Sequence, residues 1–183
     1  MRIRCEIGLL AVLVGVLSAP ASAEDPVAVE KEMAAHRQEV AAELAKVPRL
    51  PGPFDYVTFN VSGSVVTLQG FATGASLKAD AQKVVERINW VTRVENEIDF
   101  HPSEPQADRI RAETLAILEE TLPDAFPERY PDLRIKVDPE LNVTIVGLLS
   151  ANNRARLESA LVRIDQLALV KSVANRVLFK KER

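Results

Sequence analysis

The chain has 183 residues, with 23 basic and 26 acidic side chains and a net charge of −3. One cysteine and two histidines leave no material for a disulfide framework or a zinc cluster. An acidic chain is also a poor match for nucleic acid, whose phosphates call for a basic surface.

Residues 1–23 read as a secretory signal peptide. Arg2 and Arg4 give a basic start, residues 7–17 form an apolar run, and Ala21-Ser22-Ala23 is a small-x-small cleavage site. The run is shorter than the ~20 apolar residues of a membrane-spanning helix. Cys5 precedes the run, so it is not the acylated cysteine of a lipoprotein. Cleavage leaves 160 residues with no cysteine and no apolar run able to span a bilayer. Without Arg2, Arg4 and Glu6 the charge becomes −4. The expectation is export to the periplasm.

The first helix is expected from Asp25-Pro26, where aspartate can cap and proline has no N–H to leave open. Its apolar stripe is Val29, Met33, Val40, Leu44 and Val47, and Pro48 stops it. A proline-rich loop follows. Val57, Phe59 and Val61 then alternate as a strand, Ser62-Gly63-Ser64 turns it, and 65–71 returns. Thr73 or Ser76 is the expected cap of a second helix with Leu77, Ala81, Val84, Val85 and Ile88 inward. A last strand carries Val94, Asn96, Ile98 and Phe100 on one side and Glu95, Glu97 and Asp99 on the other.

The joint at His101-Pro102-Ser103-Glu104-Pro105 contains two prolines and reads as stiff. Ser103-x-x-Gln106 is a candidate capping box for the next helix, with Ala107, Ile110 or Arg111, Thr114 or Leu115, Leu118 and Leu122 inward until Pro123. A second proline and aromatic loop includes Phe126 and Tyr130. Leu133, Ile135 and Val137 alternate, 138–142 turns, and 143–149 returns. Asn152 or Asn153 is placed to cap a helix with Leu157, Ala160, Leu161, Ile164, Leu167 and Ala168 inward. Val173, Asn175, Val177 and Phe179 close the chain.

The order α-β-β-α-β therefore occurs twice. Val66-Thr67-Leu68-Gln69-Gly70 recurs as Val143-Thr144-Ile145-Val146-Gly147, and Val94-Glu95-Asn96 as Val173-Ala174-Asn175. The spacing slips fall in turns and loops, where insertions are tolerated. The fold class is α+β: two tandem units, 24–101 and 102–183, each a small mixed three-stranded sheet against two helices.

These repeated motifs resemble the BON module, a bacterial domain of periplasmic and secreted proteins. Its pattern is Val-Thr-Leu-x-Gly on a returning strand, an amphipathic helix, then Val-x-Asn-x-apolar. The chain departs from it at Trp90-Val91 and Leu169-Val170, where the family has Gly-Val, and its proline loops are long. The resemblance implies a mixed sheet with both helices on one face. It also implies attachment to membranes or envelope proteins, often through anionic phospholipid, in envelope maintenance or stress.

No catalytic constellation stands out. His36 and His101 have no metal-ligand companion, and no phosphate loop or nucleophile elbow is present, so a non-enzyme without cofactor or metal is expected. Gly70 and Gly147 read as structural, and Asn96 and Asn175 as hydrogen-bonding a neighbouring turn. Residues 151–183 hold eight basic and three acidic side chains. Arg154, Arg156, Arg163 and Lys171 are the candidate contacts for anionic headgroups. Glu95, Glu97 and Asp99 make an acidic final strand, whereas Arg176, Lys180 and Lys181 make a basic one. Attraction between these faces, within the chain or in self-association, is the expectation. Trp90 reads as core-edge packing or as an aromatic anchor at a lipid or protein surface. The rival to lipid binding is protein–protein interaction, as in a holdase-like assembly factor.

Overall fold

The computed structural model describes residues 26–48, 50, 52–101, 103–127 and 131–180. The expected leader with Cys5, and also Tyr130, Lys181 and Arg183, lie outside the described residues.

Two units of identical element order follow one another. The first is α1 (Pro26–Leu44), β1 (Tyr56–Ser62), β2 (Val65–Ala72), α2 (Ala75–Val85) and β3 (Arg93–Phe100). The second is α3 (Pro105–Thr121), β4 (Leu133–Val137), β5 (Asn142–Ser150), α4 (Arg154–Asp165) and β6 (Ser172–Lys180). A short 3-10 turn precedes α4 and another follows α3. In each unit the returning strand is central, antiparallel to the strand before it and parallel to the last. The parallel pair needs a crossover, and the amphipathic helices α2 and α4 supply it.

Period-2 alternation decides which sheet face is buried. Val66 and Leu68 on β2, and Val143 and Ile145 on β5, are fully enclosed. Leu77, Ala81 and Val85 cover the first sheet, with Val40 and Leu44 of α1. Leu157, Ala160 and Ile164 cover the second, with Ile110, Leu118 and Leu122. Two separate cores result.

Gly70 and Gly147 sit at the same point of both central strands, with φ of +128° and +150°. A Cβ there would lie 2.0 Å from the backbone oxygen of Tyr56 or of Asp132, so only glycine lets the neighbouring chain approach.

Several local expectations give way to particular contacts. Val29 is exposed, because the first turns of α1 run past the sheet, and only from Met33 onward does its stripe meet the core. Phe100 and Ala168 are exposed at element ends. Gly74, without a side-chain bond, is the N-cap of α2, since Thr73 is held by the Asp55 carboxylate through its N–H (2.7 Å) and hydroxyl (3.0 Å). The capping box at Ser103 does not form. Glu104 is the N-cap of α3, Pro105 opens the helix, and the Ser103 hydroxyl bonds Asp108. Asn153 occupies the N-cap position of α4 without a capping side-chain bond, its Oδ1 accepting instead from Arg156 Nη1 at 3.5 Å. Asn96 binds a helix and not a turn: its Nδ2 donates to the Lys78 carbonyl (2.9 Å) and to Gln82 Oε1 (3.1 Å) of α2. Asn175 is exposed, and its Oδ1 accepts from the Val177 N–H on its own strand.

The units touch through more than the linker. The Ile135 N–H on β4 donates to the Pro53 carbonyl at 2.7 Å. Phe54, from the loop before β1, packs against the second core, whereas Leu50 packs against the first.

Candidate functional site

The cations of α4 are exposed but do not form one patch. Arg156 and Arg163 are seven residues apart, about two turns, and share a flank of the helix. Arg163 is already engaged: its Nη2 donates to Glu120 on α3 at 2.6 Å, holding that carboxyl below its ordinary range. Arg154 turns to the other flank, where its guanidinium lies 4.1 Å from the Phe179 ring centroid. Lys171 follows α4, beyond its other end, and a 12-residue helix is ~18 Å long. Val162, 59% exposed, stands on the crest between the two flanks.

The acidic strand occupies a different setting. Glu95, Glu97 and Asp99 project from the open face of the first sheet. Thr67 Oγ1 donates to Glu95 at 3.2 Å and Gln69 Nε2 to Glu97 at 2.9 Å, each from the adjacent position on β2. Asp99 instead accepts from Lys136 of β4, Nζ to Oδ2, at 2.7 Å. That bond lowers the Asp99 carboxyl from its ordinary value. The sign pairing foreseen between final strands thus has a different closest partner. Arg134 and Lys136 alternate outward on β4, a basic face that the count of charges on β6 does not reveal.

Arg176 of β6 shares a cleft with these groups. The cleft holds about 320 Å³ and draws side chains from all six strands, including Tyr56, Phe71, Glu97, Asp99, Lys136 and Arg176. Lys180, at the end of β6, is exposed and lies outside it.

Trp90 is held on α1. Its Nε1 donates to Glu39 Oε2 at 2.8 Å, and its ring stacks on His36 at 3.9 Å between centroids. Both partners lie on the helix whose first turns leave the sheet, so the indole ties α1 to the unit.

At the joint, His101 donates its backbone N–H to the Ala72 carbonyl, while both ring nitrogens are buried without a hydrogen bond among the described residues. Burial, and then the Lys136 cation, push the imidazole below its ordinary pKa. Arg111, 4% exposed, donates to Asp108 at 2.6 Å and to the Val137 carbonyl at 3.3 Å. Among the described residues no group of His, Cys, Asp and Glu could hold a metal, and no helix is long and apolar enough to cross a membrane.

Residues 34–102 match the family model of the BON domain. The match begins in α1 and ends just past His101, so one BON domain is found, and it is the first unit. No curated protein matches the chain significantly. Similar solved structures include the C-terminal domain of CdsD, the structural protein of the type III secretion system of Chlamydia trachomatis. It has 8% identity and a TM-score of 0.34, over 79% of this chain and 96% of that one. A second CdsD structure has 10% identity and a TM-score of 0.31, over 80% and 92%.

Proposed function

We propose that the chain is a non-catalytic periplasmic protein with tandem BON-like units, which docks peripherally on anionic phospholipid in the cell envelope. Three features support the tandem reading of the second unit: the same element order, the same strand pairing, and a glycine at the same crowded position. The signal-peptide pattern in residues 1–23 supports export.

The observation that carries the lipid reading is the outer face of α4, where Val162 is exposed between Arg154 on one flank and Arg156 on the other. The apolar face of α4 is taken up by the core, so contact with a bilayer would rest on Val162 alone, with the flanking cations at headgroup level. Arg163 contributes least, because Glu120 neutralises it. Glu158 and Asp165 on the same helix subtract further charge. Arg154, Arg156 and Lys171 remain, at ~1 kcal/mol each near an anionic surface. Less those two carboxylates, one net positive charge is left, about 1 kcal/mol, which corresponds to weak, salt-sensitive association. Envelope maintenance or stress is the biological setting that fits such a module.

A protein partner is the second reading, favoured by one observation. Leu148 and Leu178 pair across β5 and β6 on the open sheet face, and Leu178 is 70% exposed. Flotation with neutral and anionic vesicles at low and high salt separates the two readings. Charge-dependent binding supports lipid, whereas its absence favours a protein partner.

A further inference from the structure

The cleft between the two open sheet faces has charges that do not all cancel within the chain. Asp99 and Lys136 satisfy each other at 2.7 Å. Glu97 accepts only a neutral hydrogen bond, from Gln69. Arg176 has no hydrogen-bond or ion-pair partner among the described residues. One uncompensated carboxylate therefore belongs to the first unit, and one uncompensated guanidinium to the second.

We propose that this cleft binds a small zwitterion of the free amino-acid or short-peptide class, with its ammonium at Glu97 and its carboxylate at Arg176. The lining carries two acids and two bases. A simple anion would face Glu97 and Asp99, and a simple cation would face Lys136 and Arg176. Only a molecule bearing both signs pairs each free group without leaving the other opposed. Charge-assisted bonds to planar carboxylates are what arginine makes best. Phe71 and Tyr56, with ring centroids 6.0 Å apart, give the cleft an apolar wall, and Thr144 adds a hydroxyl. A volume of about 320 Å³ is at the small end for ligand pockets, which begin near ~300 Å³. That size suits one or two residues rather than a protein segment. Because Glu97 and Arg176 belong to different units, the ligand would also bridge them.

The test uses the full chain and the dipeptide alanyl-alanine, with calorimetry and amide chemical shifts as readouts. Saturable binding with shifts at Gln69, Thr144 and Arg176 is expected. Acetylating the amine or amidating the carboxylate should weaken it by about tenfold or more. Both target side chains are exposed, so Glu97→Gln and Arg176→Gln should keep the fold by circular dichroism. Glu97→Gln should remove the penalty for the acetylated peptide, and Arg176→Gln the penalty for the amidated one. No saturable binding, or equal binding of capped and free peptides, would overturn the proposal. So would variants that retain the wild-type discrimination.

Discussion

Lys136 of β4 donates to Asp99 of β3 at 2.7 Å, so the one ion pair found between the two units among the described residues joins their open sheet faces. Its partners are unequal: the side chain of Asp99 is 59% exposed and that of Lys136 25%. An exposed pair of this kind contributes ~0.2–1 kcal/mol. The folded state holds the Asp99 carboxyl below 3.8, chiefly through the Lys136 hydrogen bond. The stabilisation is therefore present above pH 3.8 and is lost as pH falls through the lower folded value. Asp99→Asn should cost no more than about 1 kcal/mol at pH 7 by denaturant unfolding. It should also make the loss of stability below pH 4 shallower. An unchanged acid limb would remove Asp99 from the account.

His101 gives a test of the same sign at higher pH, with the neutral form favoured in the folded state instead of the charged one. Burial, followed by the Lys136 cation, lowers its pKa, against the pull of Asp99 and Asp138, and Arg111 adds to the lowering. The unfolded chain thus binds a proton more readily than the folded one. Stability is full above pH 6.5 and declines as pH falls from there through the folded value. His101→Gln should flatten unfolding midpoints between pH 7 and 5. The imidazole should titrate below pH 6.5 by NMR, and a midpoint above 6.5 would contradict its burial beside Lys136.

Gly70→Ala and Gly147→Ala test the shared glycine position. Each new Cβ would meet a backbone oxygen at 2.0 Å at a positive φ. Backbone strain and overpacking each cost ~1–3 kcal/mol, so each variant should lose about 2 kcal/mol or more by denaturant unfolding. A loss under about 0.5 kcal/mol would mean that the strand relaxes freely.

Trp90→Ala removes the indole from Glu39 and His36. The expected loss is about 2 kcal/mol, less than for a fully buried tryptophan. Amide exchange should rise first in the opening turns of α1. Uniform exchange across the first unit would show that the indole supports its core instead.

The architecture was readable because alternation and repetition act locally. Val66 and Leu68 are buried in their strand for the same reason that Val143 and Ile145 are in theirs. Caps were misread because a side chain's partner can come from elsewhere: Asp55 takes Thr73, and Asp108 takes Ser103. A count of charges names Arg154, Arg156, Arg163 and Lys171 as candidates but ignores helix phase and the Glu120 carboxylate on α3. For the cleft, the sequence offers only an attraction between the acidic β3 and the basic β6; that Lys136 of β4 takes Asp99 depends on how the second unit stands against the first.

Anionic-lipid docking is tested by co-flotation of the full chain with vesicles of phosphatidylcholine alone or with added phosphatidylglycerol, at low and high salt. Binding to anionic vesicles only is expected. Raising salt toward 1 M, where the Debye length is ~3 Å, should weaken it. Arg156→Gln with Lys171→Gln should weaken it more than Arg163→Gln, whose guanidinium already pairs with Glu120. Equal binding to neutral and anionic vesicles, or none to either, would contradict the account.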